Sequence, residues 1–352
     1  MARKRLSRSS FFSTDIGIDL GTANTLVYVR GRGIVIDEPS VVALNDKTGQ
    51  VVAVGMGAKL MLGKTPPHIR AVRPLSHGVI SDFEVTEELL AYLINKAQNG
   101  RSSLLGPRVV IGVPTGVTNV QSRAVRDAAL TAGAREVYIL EEPMAGAIGA
   151  KLPILEAVGT MVLDIGGGTT DISVIALGGT VAGKSSHVAG DRFNENIIDY
   201  VRSEFQLAIG EKTAEDTKIA IGAVLPLETS LTKAIRGRDL ATGLPREIVL
   251  TDTHVREALS PSLDSLMDAM KEVIEATPPE LLSDVLERGV TVFGGGALLR
   301  GLPELLSKML GVPVHVAPDP LTAVVRGTGI VTEDPRAYQE SFLHEDAILS
   351  QA

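Results

Sequence analysis

"VLDIGGGTTDISVI", residues 162–175, places an apolar run, an aspartate, three glycines and two threonines ahead of a second apolar run. The pattern reads as a strand, a glycine-rich turn and a returning strand. "GIDLGTANTLVYV", residues 17–29, is the same device used earlier: Asp19 corresponds to Asp164 and Gly21 to Gly166 at one common offset. Glycine at such a turn lets backbone N–H groups approach a phosphate, because no Cβ intervenes. Thr22, Thr25, Thr169 and Thr170 add hydroxyl donors. Two such turns can grip a polyphosphate from both sides. Asp19 and Asp164 would then crowd the same phosphates, which requires a cation between them, and Mg²⁺ held through water meets that need. One hairpin alone is better explained as a tight turn satisfied by its own Asp and Thr. The pair, each with Asp-x-Gly closing a buried strand, favours the phosphate reading.

The chain has 352 residues, which points to two lobes rather than one core. Apolar residues make up 44% and charged residues 22%, an ordinary globular balance. The net charge of −8 argues against general nucleic-acid binding. The absence of cysteine excludes disulfides, thiolate metal sites and a cysteine nucleophile, and the six histidines show no metal-ligand spacing. No apolar run reaches the roughly 18 residues needed to cross a bilayer, and "MARKRLSRSSFFS" lacks the apolar centre of a signal peptide. A cytoplasmic location is the expectation.

Strand-like runs alternate with helical patterns, so the class is α/β. "VTEELLAYLINKAQ" predicts a helix with Leu89, Leu90, Leu93 and Ile94 on one face. "TNVQSRAVRDAALTAG" predicts another, stopped by Gly133. "TPPELLSDVLERGV" predicts a helix with Thr277 as N-cap, Pro278 at its first position and Gly289 closing it. "TVFGGGALLRGL", residues 291–302, predicts a strand, three glycines and a helix starting at Ala297, whose N-terminus could meet an anion. An ordinary strand-to-helix connection explains that loop about as well. "GAKLMLGKT" from Gly57 resembles a P-loop but has one residue too many between its glycines. No G-x-G-x-x-G stands in a strand-to-helix setting, so a Rossmann dinucleotide site is not supported.

"IDLGTANTLVYVRGRGIVIDEPSVVAL", "VLDIGGGTTD", "VAGDRFNENIIDYVR", "IGEKTAEDTKIAIG", "RDLATGLPREI", "TPPELLSDVLERGV" and "FGGGALLRGL" closely resemble the MreB family of bacterial actin homologues. The likeness runs from about residue 14 to about residue 332. It implies an actin-like ATPase fold of two ribonuclease-H-like lobes, each with a small inserted subdomain and with nucleotide between them. Residues 1–13 would form a basic arm and 14–155 the first lobe, with an insertion at about 44–76. Residues 156–324 would form the second lobe, with an insertion at about 192–256, and 325–352 would return to the first.

By this resemblance Asp19, Thr22, Ala23 and Asn24 form a first phosphate loop, and Asp164, Gly166, Gly167, Gly168 and Thr169 a second. Ala214, Glu215, Asp216, Thr217 and Lys218 would lie near the ribose and base, with Gly294, Gly295, Gly296, Ala297 and Leu298 closing around the adenosine. Without the resemblance, Glu215 and Lys218 read as solvated helix charges. The family pattern has a water-orienting Glu in the helix after the "VP" strand, where this chain has Gln121. Gln cannot take a proton but can orient water, so the expected catalytic residues are Gln121 and Asp164. Thr118-x-x-Gln121 is equally a capping box.

Leu104 and Leu105 sit in the polar stretch "NGRSSLLGPR", a match to the family's membrane-inserting loop. Arg3, Lys4, Arg5 and Arg8, followed by Phe11 and Phe12, would add a second contact. The bland reading is a tail and a loop folded on its own lobe.

The reading that follows is a filament-forming, membrane-associated ATPase using ATP and Mg²⁺ that organises cell-wall elongation and rod shape. Its partners would be itself, the inner membrane surface and membrane proteins of the elongation machinery, with no nucleic acid. The alternatives are a filament that positions organelles or plasmids, and a small-molecule kinase of the same fold. A heat-shock-type chaperone would require a further substrate domain.

Overall fold

The computed structural model describes residues 15–99 and 106–343. Leu104 and Leu105, and the basic and aromatic residues before position 15, lie outside the described residues. The described residues divide into two compact units, one drawn from the ranges 1–156, 177–179 and 322–352, the other from 157–176 and 180–321.

The first unit is built on five strands: β1 (Ile16–Leu20), β2 (Asn24–Val29), β3 (Gly33–Pro39), β4 (Arg108–Val113) and β5 (Glu136–Glu141), in the order β5-β4-β1-β2-β3. β1 pairs antiparallel with β2 and parallel with β4, and β4 pairs parallel with β5. Ile16, Ile18, Val109 and Ile111 are all fully buried, as central strands covered on both faces should be. Helix Phe83–Ala97 carries Leu89, Leu90, Leu93 and Ile94 into this core, and the Asp82 carboxylate caps it by accepting the Val85 N–H at 3.2 Å. A small three-stranded sheet, Val42–Asn45, Val51–Val54 and Ile69–Val72, follows β3.

Helix Ala323–Glu333 returns to the first unit and lies against helix Glu142–Gly149. A Cβ on Gly149 would strike the Ala323 carbonyl, and one on Gly327 the Ala145 carbonyl. Glycine at both positions is what lets the two backbones approach this closely.

The second unit repeats the plan with β6 (Thr160–Ile165), β7 (Thr170–Ala176), β8 (Gly179–Ser186), β9 (Val290–Phe293) and β10 (Val314–Val316), ordered β8-β7-β6-β9-β10. β6 pairs antiparallel with β7 and parallel with β9, as β1 does with β2 and β4. Every residue of β6 and β7 is buried. A second small sheet joins Leu207–Ala208, Thr232–Asp239 and Pro245–Thr251.

Two local expectations are corrected. The helix expected to start at Pro278 spans Pro279–Arg288, with Pro278 as the cap residue. Thr277 instead ends the preceding helix, its hydroxyl donating to the Val273 carbonyl at 2.7 Å. The cause is the double proline: Pro279 keeps Pro278 out of helical conformation (ψ 141°), so the helix begins one residue later. Gly289 closes it with φ 80°, as expected. Second, no α-helix begins at Ala297. Gly295–Leu298 is one 3₁₀ turn, Leu299 is extended, and the α-helix spans Leu302–Leu310. Three glycines make a poor first helical turn, so the chain closes short bonds such as Leu299 N–H to Gly296 C=O (3.0 Å) and restarts after Gly301.

Candidate functional site

In the first unit the turn Gly21–Ala23 joins β1 to β2, with Asp19 at the C-terminal end of β1. A Cβ on Gly21 would lie 2.6 Å from the Asn24 carbonyl, so the tightness of the turn selects glycine. The Thr22 hydroxyl accepts the Gly78 N–H at 2.9 Å, which leaves its own hydrogen to donate. Asn24 is exposed, and its amide donates to Asp37 at 3.2 Å. Burial and then the nearby Asp37 charge push the Asp19 carboxyl up to about 7. A carboxylate with this handicap becomes favourable when a cation shares its site. Among the described residues no group of three or more His, Cys, Asp or Glu could cage a metal. A single buried carboxylate beside a turn that offers backbone N–H groups could share Mg²⁺ with water and phosphate oxygens.

The C-terminal ends of the parallel strands also carry Glu142, which the sequence reading passed over inside "VYILEEPMAGAIGA". It opens the helix after β5 and is 8% exposed. A Cβ on Gly112 would lie 3.3 Å from its Cγ, and Gly112 is the β4 partner of Asp19. An acidic pair before a proline at a strand end was the available signal. Gln121, by contrast, forms the capping box: its side-chain carbonyl accepts from Thr118 N–H at 2.9 Å, and its own N–H donates to Thr118 Oγ1 at 3.2 Å. It also lines a shallow cavity of about 260 Å³ with Ile80, Phe83 and Val120.

In the second unit the turn Gly166–Thr169 joins β6 to β7 and closes with a Gly166 N–H to Thr169 C=O bond of 2.9 Å. Its carbonyls do a second job. Gly190 N–H donates to Gly166 C=O (3.1 Å) and Asp191 N–H to Gly167 C=O (2.8 Å), capping helix Gly190–Phe205, which has no side-chain cap. Lys218 reaches the same place and donates to Gly190 C=O at 2.7 Å. Burial lowers its ammonium's pKa, with Asp191, Glu215 and Glu211 opposing. Within Ala214–Lys218, Ala214 and Thr217 are fully buried, and Thr217 bonds Thr213 C=O; Asp216 pairs with Lys212. Glu215 and Lys218 remain partly exposed.

The third loop packs on the same strand end. Gly294 has φ 81°, and a Cβ there would strike the Asp164 carboxylate and lie 2.5 Å from the Ile165 carbonyl. A Cβ on Gly296 would strike the Ile165 side chain. Ala297 is buried, and Leu298 is exposed. The second unit thus brings Asp164, Gly166–Thr169, Lys218 and Gly294–Gly296 together, and adds Gly190 and Asp191, which the sequence reading did not single out. Backbone donors, a lysine and a carboxylate in one small region suit a phosphate and its cation.

A family model described as MreB/Mbl protein matches residues 13–340. The chain is 49% identical over 323 residues to the cell shape-determining protein Mbl of Bacillus subtilis (strain 168), covering 92% of this chain and 97% of that protein. It is 51% identical over 326 residues to the cell shape-determining protein MreB of Escherichia coli (strain K12), covering 92% and 94%. Among solved structures it is similar to MreB5 of Spiroplasma citri bound to ADP, with a TM-score of 0.88, 38% identity and 93% and 98% coverage. The MamK double helical filament shares the fold at TM-score 0.77 and 24% identity, over 92% of this chain and 99% of that one.

Proposed function

The chain belongs to the MreB/Mbl family, and from that premise we propose that it is a filament-forming, actin-like ATPase that organises cell-wall elongation and maintains rod shape. The observation that carries the nucleotide reading is the repeated hairpin. Two sheets of identical strand order each end their first strand in Asp-x-Gly, at Asp19-Leu20-Gly21 and Asp164-Ile165-Gly166. MreB5 of Spiroplasma citri has been solved with ADP and with AMPPNP, which supports an adenine nucleotide as the ligand.

In this reading the Thr22 to Asn24 and Gly166 to Thr169 backbones bind phosphate oxygens. Glu215 and Lys218 face the ribose and base, and Gly294 to Leu298 close the adenosine side. Mg²⁺ would neutralise phosphate charge; Asp19 in the first unit and Asp164 in the second each stand beside a phosphate turn, where each could hold it through water. Glu142, a buried carboxylate at the strand ends, is better placed than the capped Gln121 to orient an attacking water. Binding of ATP favours assembly of the chain with itself, and hydrolysis weakens the polymer. Among the described residues no helix is long and apolar enough to cross a membrane. Contact with the inner face of the membrane falls to Leu104, Leu105 and the basic arm, with elongation-machinery membrane proteins as partners.

The test is electron microscopy and phosphate release with purified protein, ATP and Mg²⁺, with and without anionic liposomes. ATP-dependent filaments that gather on liposomes are expected. Protein that neither polymerises nor releases phosphate would overturn the reading.

A further inference from the structure

Ser40 follows β3 at the start of the crossing into the small inserted sheet, and it is completely buried. Its hydroxyl donates to the Gly21 carbonyl at 2.5 Å, and its backbone N–H donates to the Ala23 carbonyl at 3.0 Å. The Thr25 hydroxyl, also completely buried, lies 2.8 Å from Ser40 Oγ. Ser40 has a single hydroxyl hydrogen and gives it to Gly21, so Thr25 is the donor of that bond. The two hydroxyl contacts form a directed chain: Thr25 to Ser40 to Gly21.

A trans peptide is planar, with its N–H pointing opposite to its C=O. Ser40 holds the carbonyls of the Gly21–Thr22 and Ala23–Asn24 peptides. It thereby directs the N–H groups of Thr22 and Asn24 to the opposite side of the turn. A rotated Gly21–Thr22 peptide would present a carbonyl oxygen where a phosphate needs a donor. Glycine at position 21 makes that rotation cheap unless something outside the turn prevents it.

We propose that Ser40, oriented by Thr25, is the positioning residue of the first phosphate turn, fixing the Thr22 and Asn24 N–H groups toward the phosphates. This rests on the nucleotide reading given above. A merely structural serine would stabilise the fold and leave nucleotide selectivity alone. A positioning serine governs how much each phosphate adds to binding.

The experiment is calorimetric titration of ATP and AMP, with Mg²⁺, into wild type, Ser40→Ala and the isosteric Thr25→Val. In Ser40→Ala the ratio of ATP to AMP affinity should fall about tenfold while AMP affinity changes less than twofold. Thr25→Val should shift the ratio the same way by about threefold, and it carries the test if Ser40→Ala protein proves insoluble. Equal losses for ATP and AMP, or an unchanged ratio in whichever variant folds, would overturn the assignment. Wild-type protein that binds neither nucleotide would overturn the nucleotide reading itself, and the assignment with it.

Discussion

Asp164 and Asp171 stand directly opposite each other across the β6–β7 hairpin, and both are buried, at 5% and 1% exposure. Directly paired residues of antiparallel strands share a face with Cβ atoms about 5 Å apart, and like charges there are destabilising. Both carboxyls have interaction partners, yet two acids beside the second glycine turn are a costly arrangement for fold alone. A divalent cation shared with phosphate would offset that cost. Asp164→Asn keeps the shape and removes the charge. It should raise the Mg²⁺ concentration needed for half-maximal ATP hydrolysis about tenfold or more, with little loss of melting temperature. An Asp164→Asn protein with the Mg²⁺ dependence of wild type would remove this carboxylate from the metal site.

Asp19 gives the first unit a pH signature. Its carboxyl is raised from 3.8 to about 7 by burial and then by Asp37. Between those values the folded chain binds more protons than the unfolded one, so this group's contribution to stability falls as pH rises. The fall is complete above about pH 7, once the folded carboxyl has ionised. Each tenfold difference in proton affinity between the folded and unfolded chain corresponds to at most about 1.4 kcal/mol. Asp19→Asn lacks this penalty. In metal-free protein the variant should gain on wild type in melting temperature from pH 5 to pH 7 and hold that gain above. Added Mg²⁺ and ATP should shrink the gap by favouring the charged wild-type carboxylate. A gap that stays constant from pH 5 to pH 8 would argue that Asp19 is not held in its neutral form.

Gly294 is fixed twice, by φ 81° and by the Asp164 carboxylate and Ile165 carbonyl against the space a Cβ would take. Gly294→Ala should destabilise the second unit by about 1–3 kcal/mol from the forced backbone alone. Because the obstruction falls on Asp164, nucleotide affinity should drop as well. Thermal melts with and without ATP separate the two effects. An alanine variant with unaltered melting and ATP affinity would contradict this packing.

The two hairpins were legible in sequence because every residue of the device lies within a few positions of its neighbours. Aspartate, glycine and threonine mark the turn, and buried runs mark the strands. What was not legible depends on distant parts of the chain. Ser40 bonds Gly21 across 19 positions, and Lys218 reaches the Gly190 carbonyl across 28. Asp171 is set opposite Asp164 by the register of β6 and β7. The helix at Pro279 slipped by one residue for a local reason, since two prolines compete for one start. The glycine loop misled because three glycines before an apolar run read as a helix approach but fold as a single 3₁₀ turn.

Leu104 and Leu105 carry the membrane prediction on sequence grounds alone. Burying a leucine contributes about 1.5–3 kcal/mol, and each basic residue near an anionic surface about 1 kcal/mol. One subunit is therefore marginally bound, and a polymer that repeats the contact binds firmly. Leu104→Ser with Leu105→Ser should reduce co-sedimentation with anionic liposomes while filaments persist in solution. Undiminished co-sedimentation would move the contact elsewhere.

Gln121 and Glu142 make opposite forecasts for hydrolysis. The Gln121 carbonyl already accepts from the Thr118 backbone, the arrangement of a helix cap. Gln121→Ala should therefore cost about 1 kcal/mol of stability and leave turnover per folded molecule almost unchanged. Gln121→Glu can rebuild the same box and should restore the stability without raising the rate. Glu142 is a buried carboxylate next to the strand that ends in Asp19. Glu142→Gln should slow phosphate release about a hundredfold or more while ATP binding and assembly remain, since a positioned base contributes typically 10²–10⁴-fold. Filaments of that variant should outlast wild-type filaments, because their subunits stay in the ATP state. Single-turnover phosphate release on folded protein decides between the residues. A large loss in Gln121→Ala with normal hydrolysis in Glu142→Gln would return the water-orienting role to Gln121.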